Sequence, residues 1–146
     1  MTQLLWILYS IIIGCFLSIQ GSINAQLGQA TKTPLFASFT NFTVGTICLS
    51  LPFLFGLIPF PPLSKLQSLP PYIWIGGILG AIFVTSVIIV IPKLGITLFL
   101  GFLILGQLGF SLVIDHFGLF GLREISISWT RIVGVLMIAS GAFLVK

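Results

Sequence analysis

Five amide side chains stand inside long apolar stretches of the sequence, and four of them, all but Gln26, are the residues best suited to chemistry. Gln20 and Asn24 are four residues apart, so a helix places both on one face. Asn41 and Gln107 stand in later apolar stretches. A polar group at membrane depth is unfavourable unless it faces protein or water. The amides therefore either hold helices together or contact a ligand, and we favour ligand contact.

The one acidic residue near an apolar stretch is Asp115, which is followed by His116. No charged residue stands in the middle of a stretch, which disfavours proton antiport through a carboxylate at the membrane midplane. Asp115 either titrates during transport or pairs with Arg123 or Arg131, and pairing is favoured. The titration alternative keeps Asp115 and His116 as candidates for coupling or gating.

Enzyme chemistry finds no support in the remaining residues. The sequence has one histidine and two cysteines, and it contains neither a G-x-S-x-G nor an H-x-x-x-H motif. Both cysteines stand in apolar stretches without the spacing of a disulfide or metal framework. We predict no catalytic residue, no metal and no cofactor.

Composition places the chain in a lipid bilayer. Of its 146 residues, 58% are hydrophobic and only 5% are charged. Soluble domains contain about 25% charged residues, so the solvent for this chain is lipid. The net charge of +4 comes without a basic cluster, which argues against a nucleic-acid partner.

Length divides the chain into apolar segments, since about 20 residues cross a bilayer. Prolines make 58–71 an interfacial loop, and 117–128 forms a second long loop. We predict an all-α integral membrane protein with a single transmembrane domain over 1–146. Five transmembrane helices are expected, at residues 4–27, 34–57, 72–91, 95–114 and 129–145.

Basic residues are balanced across the membrane in this arrangement. Five crossings put the termini on opposite sides, and each side then has three basic residues. Orientation normally follows the Lys and Arg difference between the sides. Either the N-terminal segment fixes one orientation, or both orientations insert, and we favour dual topology. The basic residues are Lys65, Arg123 and Arg131 on one side, and Lys32, Lys93 and Lys146 on the other.

Aromatic residues also favour two copies that point in opposite directions. All three tryptophans and both tyrosines fall near helix ends on one side, whereas such belts normally occupy both interfaces. An antiparallel homodimer supplies both belts. It also reproduces the two inverted repeats from which many transporters are built. The residues are Trp6, Trp74, Trp129, Tyr9 and Tyr72.

The fifth segment contains Gly134 and Gly141, which are seven residues apart and share one face. Small residues allow close helix contact in membranes. This face packs either against the fourth segment or against a second copy of the chain, and the spacing favours neither interpretation over the other. Gly134 and Gly141 are the candidate dimer contact.

Several motifs cover nearly the whole chain, in this order: LSIQGSINAQLGQA (17–30), SFTNFTVGTI (38–47), GGILGAIFVTSVIIVIPKLG (76–95), GQLGFSLVIDHFGLFG (106–121) and RIVGVLMIASGAFLV (131–145). With these motifs the chain resembles the small YdcZ-type members of the drug/metabolite transporter superfamily. The run from Gln107 through Asp115-His116-Phe117-Gly118 is the most specific part.

This resemblance implies a bacterial inner-membrane protein of five helices, equivalent to one repeat of the ten-helix members. It implies export of small organic molecules by alternating access. Four-helix relatives couple protons through a glutamate in their first helix, and this chain has none there. The resemblance carries over pocket or gating roles to Gln20, Asn24, Asn41, Gln107 and Asp115.

Two functions follow from these observations. The first is a transporter that works as an antiparallel homodimer, with a small-molecule substrate held by uncharged groups. Neutral or zwitterionic solutes are favoured because a strong cation would lack a counter-ion. The second is a membrane scaffold or accessory subunit of a larger complex, in which the amides and glycines serve assembly.

Overall fold

The computed structural model of the chain describes residues 2–144. Every regular element in this range is helical, and no strand occurs in it. Two short 3-10 turns, Pro71–Trp74 and Leu119–Gly121, interrupt the longer elements. The helices are α1 (Thr2–Thr31), α2 (Pro34–Leu54), α3 (Leu63–Gln67), α4 (Ile75–Leu94), α5 (Ile96–Phe117) and α6 (Trp129–Leu144).

Within residues 2–144, four helical segments are long and apolar enough to cross a membrane by length and composition. The apolar helix α6 has 16 residues and is shorter. At about 1.5 Å per residue it falls short of a hydrocarbon core about 30 Å thick. The all-helical membrane class is confirmed, and the fifth crossing stays a prediction. The four segments are Gln3–Thr31, Pro34–Leu54, Pro71–Leu94 and Ile96–Phe117.

Large apolar side chains lie on the surface instead of filling a core. Trp6 is 67% exposed and Leu54 is 74% exposed, as are many residues like them. A soluble monomer rarely exposes continuous apolar surface of this extent, so the surface is suited to lipid. The buried apolar residues of the described range are mostly small: Ala25, Ala37, Val87, Ile88 and Ala142.

The first helix is longer at both ends than the predicted 4–27. It continues to Thr31, whose hydroxyl donates to the Leu27 carbonyl at 2.8 Å. Lys32 then takes a left-handed backbone with φ of 53°, which ends the helix. The connection between the helices predicted at 4–27 and 34–57 is thereby reduced to Lys32 and Thr33. Hydropathy does not reveal this boundary because local backbone geometry sets it.

Helix α2 ends at Leu54, earlier than the predicted residue 57. The backbone N–H groups of Leu57 and Ile58 both donate to the Pro52 carbonyl, which turns the chain out of the helix. Downstream, Leu63–Gln67 forms the short helix α3 inside the loop predicted at 58–71.

The later helices differ from their predicted ranges of 72–91, 95–114 and 129–145. Helix α4 continues through Pro92 to Leu94, because an internal proline removes only one hydrogen bond, and Gly95 with φ of 77° follows the last residue. Helix α5 extends past residue 114 to Phe117 and is closed by Gly118 with φ of 55°. The predicted end of the fifth helix at Val145, and the basic residue Lys146, lie outside the described residues.

The chain divides into two compact units, Met1–Lys93 and Leu94–Lys146. The single domain over 1–146 stays a prediction. In the first unit α1 packs on α2, and α4 also contacts α1. A Cβ on Gly28 would lie 3.8 Å from the Ala37 Cβ and would overlap the Ile88 side chain. The missing side chain at Gly28 therefore leaves room for the Ile88 side chain of α4 against α1, whereas the contact with α2 would tolerate a Cβ.

In the second unit α5 packs on α6. A Cβ on Gly101 would lie only 2.9 Å from the Ala142 Cβ, so the two backbones are close at this point. The Phe102 and Phe143 rings meet edge to face at 5.1 Å beside it. Close contact at a glycine and an aromatic pair thus hold the two helices together.

Candidate functional site

Three of the predicted amides meet in the first unit. The Asn41 Oδ1 atom accepts a hydrogen bond from Gln20 Nε2 at 3.2 Å and one from Asn24 Nδ2 at 3.1 Å. Asn24 is 8% exposed, Asn41 is half-buried and Gln20 is exposed. We call Gln20, Asn24 and Asn41 the amide cluster. It joins α1 to α2 through one shared acceptor.

Helix geometry and close packing together form the amide cluster. Gln20 and Asn24 share one face of α1 because they are four residues apart. The short turn after Thr31 brings α2 back along α1, with Ala37 fully buried and Gly28 at the contact. Asn41 is one turn beyond Ala37 on α2. Its side chain therefore reaches the α1 amides.

A cavity of about 420 Å³ opens beside the amide cluster. The residues with polar side chains in its lining are Gln20, Asn41 and Thr46. Among the residues that the structure describes, no charged side chain lines it. The other lining residues are Phe42, Val44, Gly45 and Leu49.

The amide cluster keeps unused hydrogen-bonding atoms. A primary amide has two N–H donors and an oxygen with two acceptor sites. The two acceptor sites of Asn41 Oδ1 are occupied, whereas the Asn41 amide nitrogen, Gln20 Oε1 and Asn24 Oδ1 have no partner among the described residues. The site can therefore bind a solute by hydrogen bonding and does not offer it a charge.

Gln107 is the fourth predicted amide, and it lies on α5 in the second unit. Its side chain is exposed and makes no hydrogen bond within that unit. The amide cluster therefore contains three of the four predicted amides, and a substrate-binding role for Gln107 stays a prediction.

Asp115 forms an ion pair with Arg131 in the second unit, on side chains that are 27% and 30% exposed. Arg131 Nη1 also donates to the Ile125 carbonyl at 3.2 Å, and the Ile125 N–H donates to the Asp115 carbonyl at 2.8 Å. We call Asp115, Ile125 and Arg131 the loop clasp, because they hold the 118–128 loop between α5 and α6. Of the two predicted partners for Asp115, the structure selects Arg131.

A family model with the description "Putative inner membrane exporter, YdcZ" matches residues 5–144. This match extends from the first turns of α1 to the last residue of α6. The chain belongs to the YdcZ family. No curated protein and no solved structure matches it. Membership confirms the predicted resemblance and assigns the chain to multi-pass membrane proteins of an inner-membrane exporter family.

His116, the neighbour of the clasp residue Asp115, has a buried Nδ1 atom without a hydrogen-bond partner among the described residues. Its ring packs edge to face against Phe117 at 4.8 Å. In this YdcZ-family chain Asp115 therefore takes part in the loop clasp, whereas the imidazole ring of His116 makes none of the hydrogen bonds of the clasp. A coupling or gating role for either residue stays a prediction.

The two glycines of α6 take no part in its packing on α5. A Cβ on Gly134 or on Gly141 would have no neighbour within 4 Å, whereas Ala142 makes the close contact with Gly101. Packing of the glycine face against the fourth predicted segment is therefore not seen within this unit. The dimer contact at Gly134 and Gly141 stays a prediction.

Sequence reasoning missed a second polar contact between helices of the first unit. The hydroxyl oxygens of Ser38 and Thr85 lie 2.8 Å apart and join α2 to α4, and Ser38 is 5% exposed. The sequence does indicate that Ser38 lies on the same face of α2 as Asn41, because the two residues are three apart. Its partner could not be found from spacing within one helix. A cavity of about 330 Å³ lies along Thr85.

Proposed function

We propose that the chain is a multi-pass exporter of small neutral or zwitterionic organic solutes in the bacterial inner membrane, where it works by alternating access. The observation that carries this proposal is the amide cluster at the wall of the 420 Å³ cavity. Family membership supports the general class of membrane transporter.

The chemistry of the cavity favours solutes without a strong net charge. Its polar groups are the Gln20 and Asn41 amides and the Thr46 hydroxyl, and no acidic side chain lines it. A cation that entered it would lose hydration without gaining a counter-ion. A neutral solute can exchange its water hydrogen bonds for those of the amides.

We further propose that the working form is an antiparallel homodimer with dual topology. A five-helix chain corresponds to one inverted repeat of a larger transporter, so two copies in opposite orientations supply both halves. The equal numbers of basic residues on the two predicted sides support this form. In the dimer the two copies rock against each other to expose the cavity alternately.

Helix α6 is the proposed contact between the copies. Gly134 and Gly141 present open space where a side chain would lie, and α6 already uses other residues to pack on α5. A partner helix can therefore approach closely at the two glycines. With α6 in contact with the second copy, the amide cluster of α1 and α2 remains free to bind the solute.

Solute flux in proteoliposomes tests the proposed function. A panel of labelled neutral amino acids, nucleosides and sugars, with tetraphenylphosphonium as a strong cation, is offered to wild type. We expect flux of a neutral or zwitterionic member, and about a tenfold loss in Gln20→Ala and Asn41→Ala from missing hydrogen bonds. Gln26→Ala is the matched control, because Gln26 is an exposed amide of α1 outside the cavity.

Two results would contradict the proposal. Flux that is unchanged in both cavity variants would remove the amide cluster from the transport path. Flux in wild-type vesicles no greater than in protein-free vesicles, for every member of the panel, would instead favour the scaffold or accessory-subunit function.

A further inference from the structure

We infer, on the basis of the proposed function, that the solute is recognised through a carboxamide-like edge on an apolar body. Such an edge has an N–H donor beside a C=O acceptor. The juxtaposition that carries the inference is the amide cluster, with a free donor and free acceptors, against the apolar wall of the 420 Å³ cavity.

The hydrogen bonds inside the amide cluster determine which atoms are left for a solute. Asn41 uses its oxygen twice, so its NH2 group is the free donor. Gln20 uses one N–H, so its oxygen is a free acceptor. Both residues line the cavity. A solute that fills both needs an acceptor for Asn41 and a donor for Gln20.

Rotation of the amide planes does not change this requirement. If Asn41 presented its NH2 group to its neighbours, two N–H donors would meet the oxygens of Gln20 and Asn24. The Asn41 oxygen would then be the free acceptor, and the Gln20 NH2 group the free donor. In either arrangement the two residues that line the cavity keep at least one free donor and one free acceptor.

Solutes without both groups leave part of the site unsatisfied. A ketone offers an acceptor but no donor, so the Gln20 oxygen stays without a partner. A carboxylate has no donor at neutral pH, and an ammonium group has no acceptor. Charged solutes also find no opposite charge in the lining. A carboxamide is the simplest neutral group that satisfies both.

The apolar lining and the volume of the cavity determine the size and chemistry of the rest of the solute. Phe42, Val44 and Leu49 form apolar walls, and Gly45 leaves room between them. A volume of about 420 Å³ is at the small end of ligand pockets, which suits one ring with a short substituent. The preferred solute is therefore a small aromatic or aliphatic carboxamide.

Binding to the purified full-length chain in lipid nanodiscs tests the inference. The probes are benzamide, acetophenone, benzoate and benzylamine, which share one ring and differ in the polar group. Calorimetric titration gives each dissociation constant. We expect benzamide to bind about tenfold more tightly than acetophenone, and both charged probes to bind more weakly still.

Two variants link this preference to the amide cluster. Asn41→Leu should weaken benzamide and acetophenone alike, because the carbonyl groups of both accept from the Asn41 NH2 group. Gln20→Leu should reduce the preference about tenfold, and it remains informative if Asn41→Leu fails to fold, because Gln20 is exposed. Gln26→Leu makes the same exchange outside the cavity and should keep the full preference.

Equal affinity for the four probes, no binding of benzamide at millimolar concentration, or a full preference in Gln20→Leu would overturn the inference. Flux assays keep this result distinct from the proposed function. A solute that is transported without any carboxamide preference overturns the inference and leaves transport standing. A benzamide preference without flux of any solute supports the recognition and contradicts the transporter.

Discussion

At the scale of single residues, Asn41 joins two amides of α1 to α2 in the first unit. Its oxygen is the only acceptor that the structure gives to the side chains of both Gln20 and Asn24 within residues 2–144. Asn24 is nearly buried, so it cannot exchange a lost partner for water. The stability of the α1–α2 contact and the proposed recognition of a solute therefore depend on two different atoms of the same side chain, the oxygen and the nitrogen of the Asn41 amide.

This dependence predicts the outcome of a double-mutant cycle. Asn41→Leu should lower the free energy of unfolding by about 1–3 kcal/mol, because Asn24 keeps a buried amide without a partner. Replacing both Asn24 and Asn41 by leucine should recover part of that loss, since neither polar group then remains. Unfolding by titration with sodium dodecyl sulfate measures each variant. Additive losses would contradict the coupling through one acceptor.

The loop clasp allows a second prediction at the residue scale. Asp115→Asn removes the ion pair with Arg131, whose partly exposed charges contribute about 1 kcal/mol or less to stability. We therefore expect a local effect: faster opening of the 118–128 loop, measured as a several-fold faster trypsin cleavage after Arg123.

Cleavage after Lys65 provides an internal control for the clasp, because Lys65 lies in the other long loop and in the first unit. Its rate should be the same in wild type and in Asp115→Asn. Equal rates at Arg123 in the two proteins would show that the ion pair does not restrain the loop. Faster cleavage at both sites would indicate general destabilisation instead.

At the scale of helices, glycines determine how closely two backbones approach. Gly101 on α5 faces Ala142 on α6, and an added Cβ would come within 2.9 Å of the alanine Cβ. The alanine Cα is farther away, at 3.4 Å. The contact therefore tolerates one methyl group, on either helix, but not two.

This contact predicts a size exchange between α5 and α6. Gly101→Ala should lower the free energy of unfolding by about 1–3 kcal/mol through overpacking, and adding Ala142→Gly should restore much of it. Gly109→Ala is the matched control, because its Cβ would meet no neighbour within 4 Å. Detergent-induced unfolding gives all three values. No recovery in the double variant would show that the clash lies elsewhere.

Sequence periodicity predicted the faces of helices better than their ends or their partners. The four-residue spacing placed Gln20 and Asn24 together correctly. The contact with Asn41 depends on how closely α1 and α2 pack where Ala37 is buried, which no pattern within one helix reveals. The ends of helices depend on local backbone conformation, as at Lys32, which hydropathy does not encode.

At the scale of the whole molecule, the few charges determine orientation. A chain with 5% charged residues inserts according to a handful of lysines and arginines. Three stand on each predicted side, so a change of two residues should be decisive. Dual topology can therefore be tested with two double variants. Each removes two basic residues from one predicted side, and neither alters the amide cluster or the glycine face.

The expected outcome follows from the rule that basic loops stay in the cytoplasm. With C-terminal fusions to green fluorescent protein, active inside, or alkaline phosphatase, active outside, wild type should show both activities. Lys32→Gln with Lys93→Gln should favour phosphatase, whereas Lys65→Gln with Arg123→Gln should favour fluorescence. Each fixed form alone should lose flux, and co-expression of the two should restore it. One fixed orientation in wild type with full flux would contradict the antiparallel pair, because identical copies would then all point the same way.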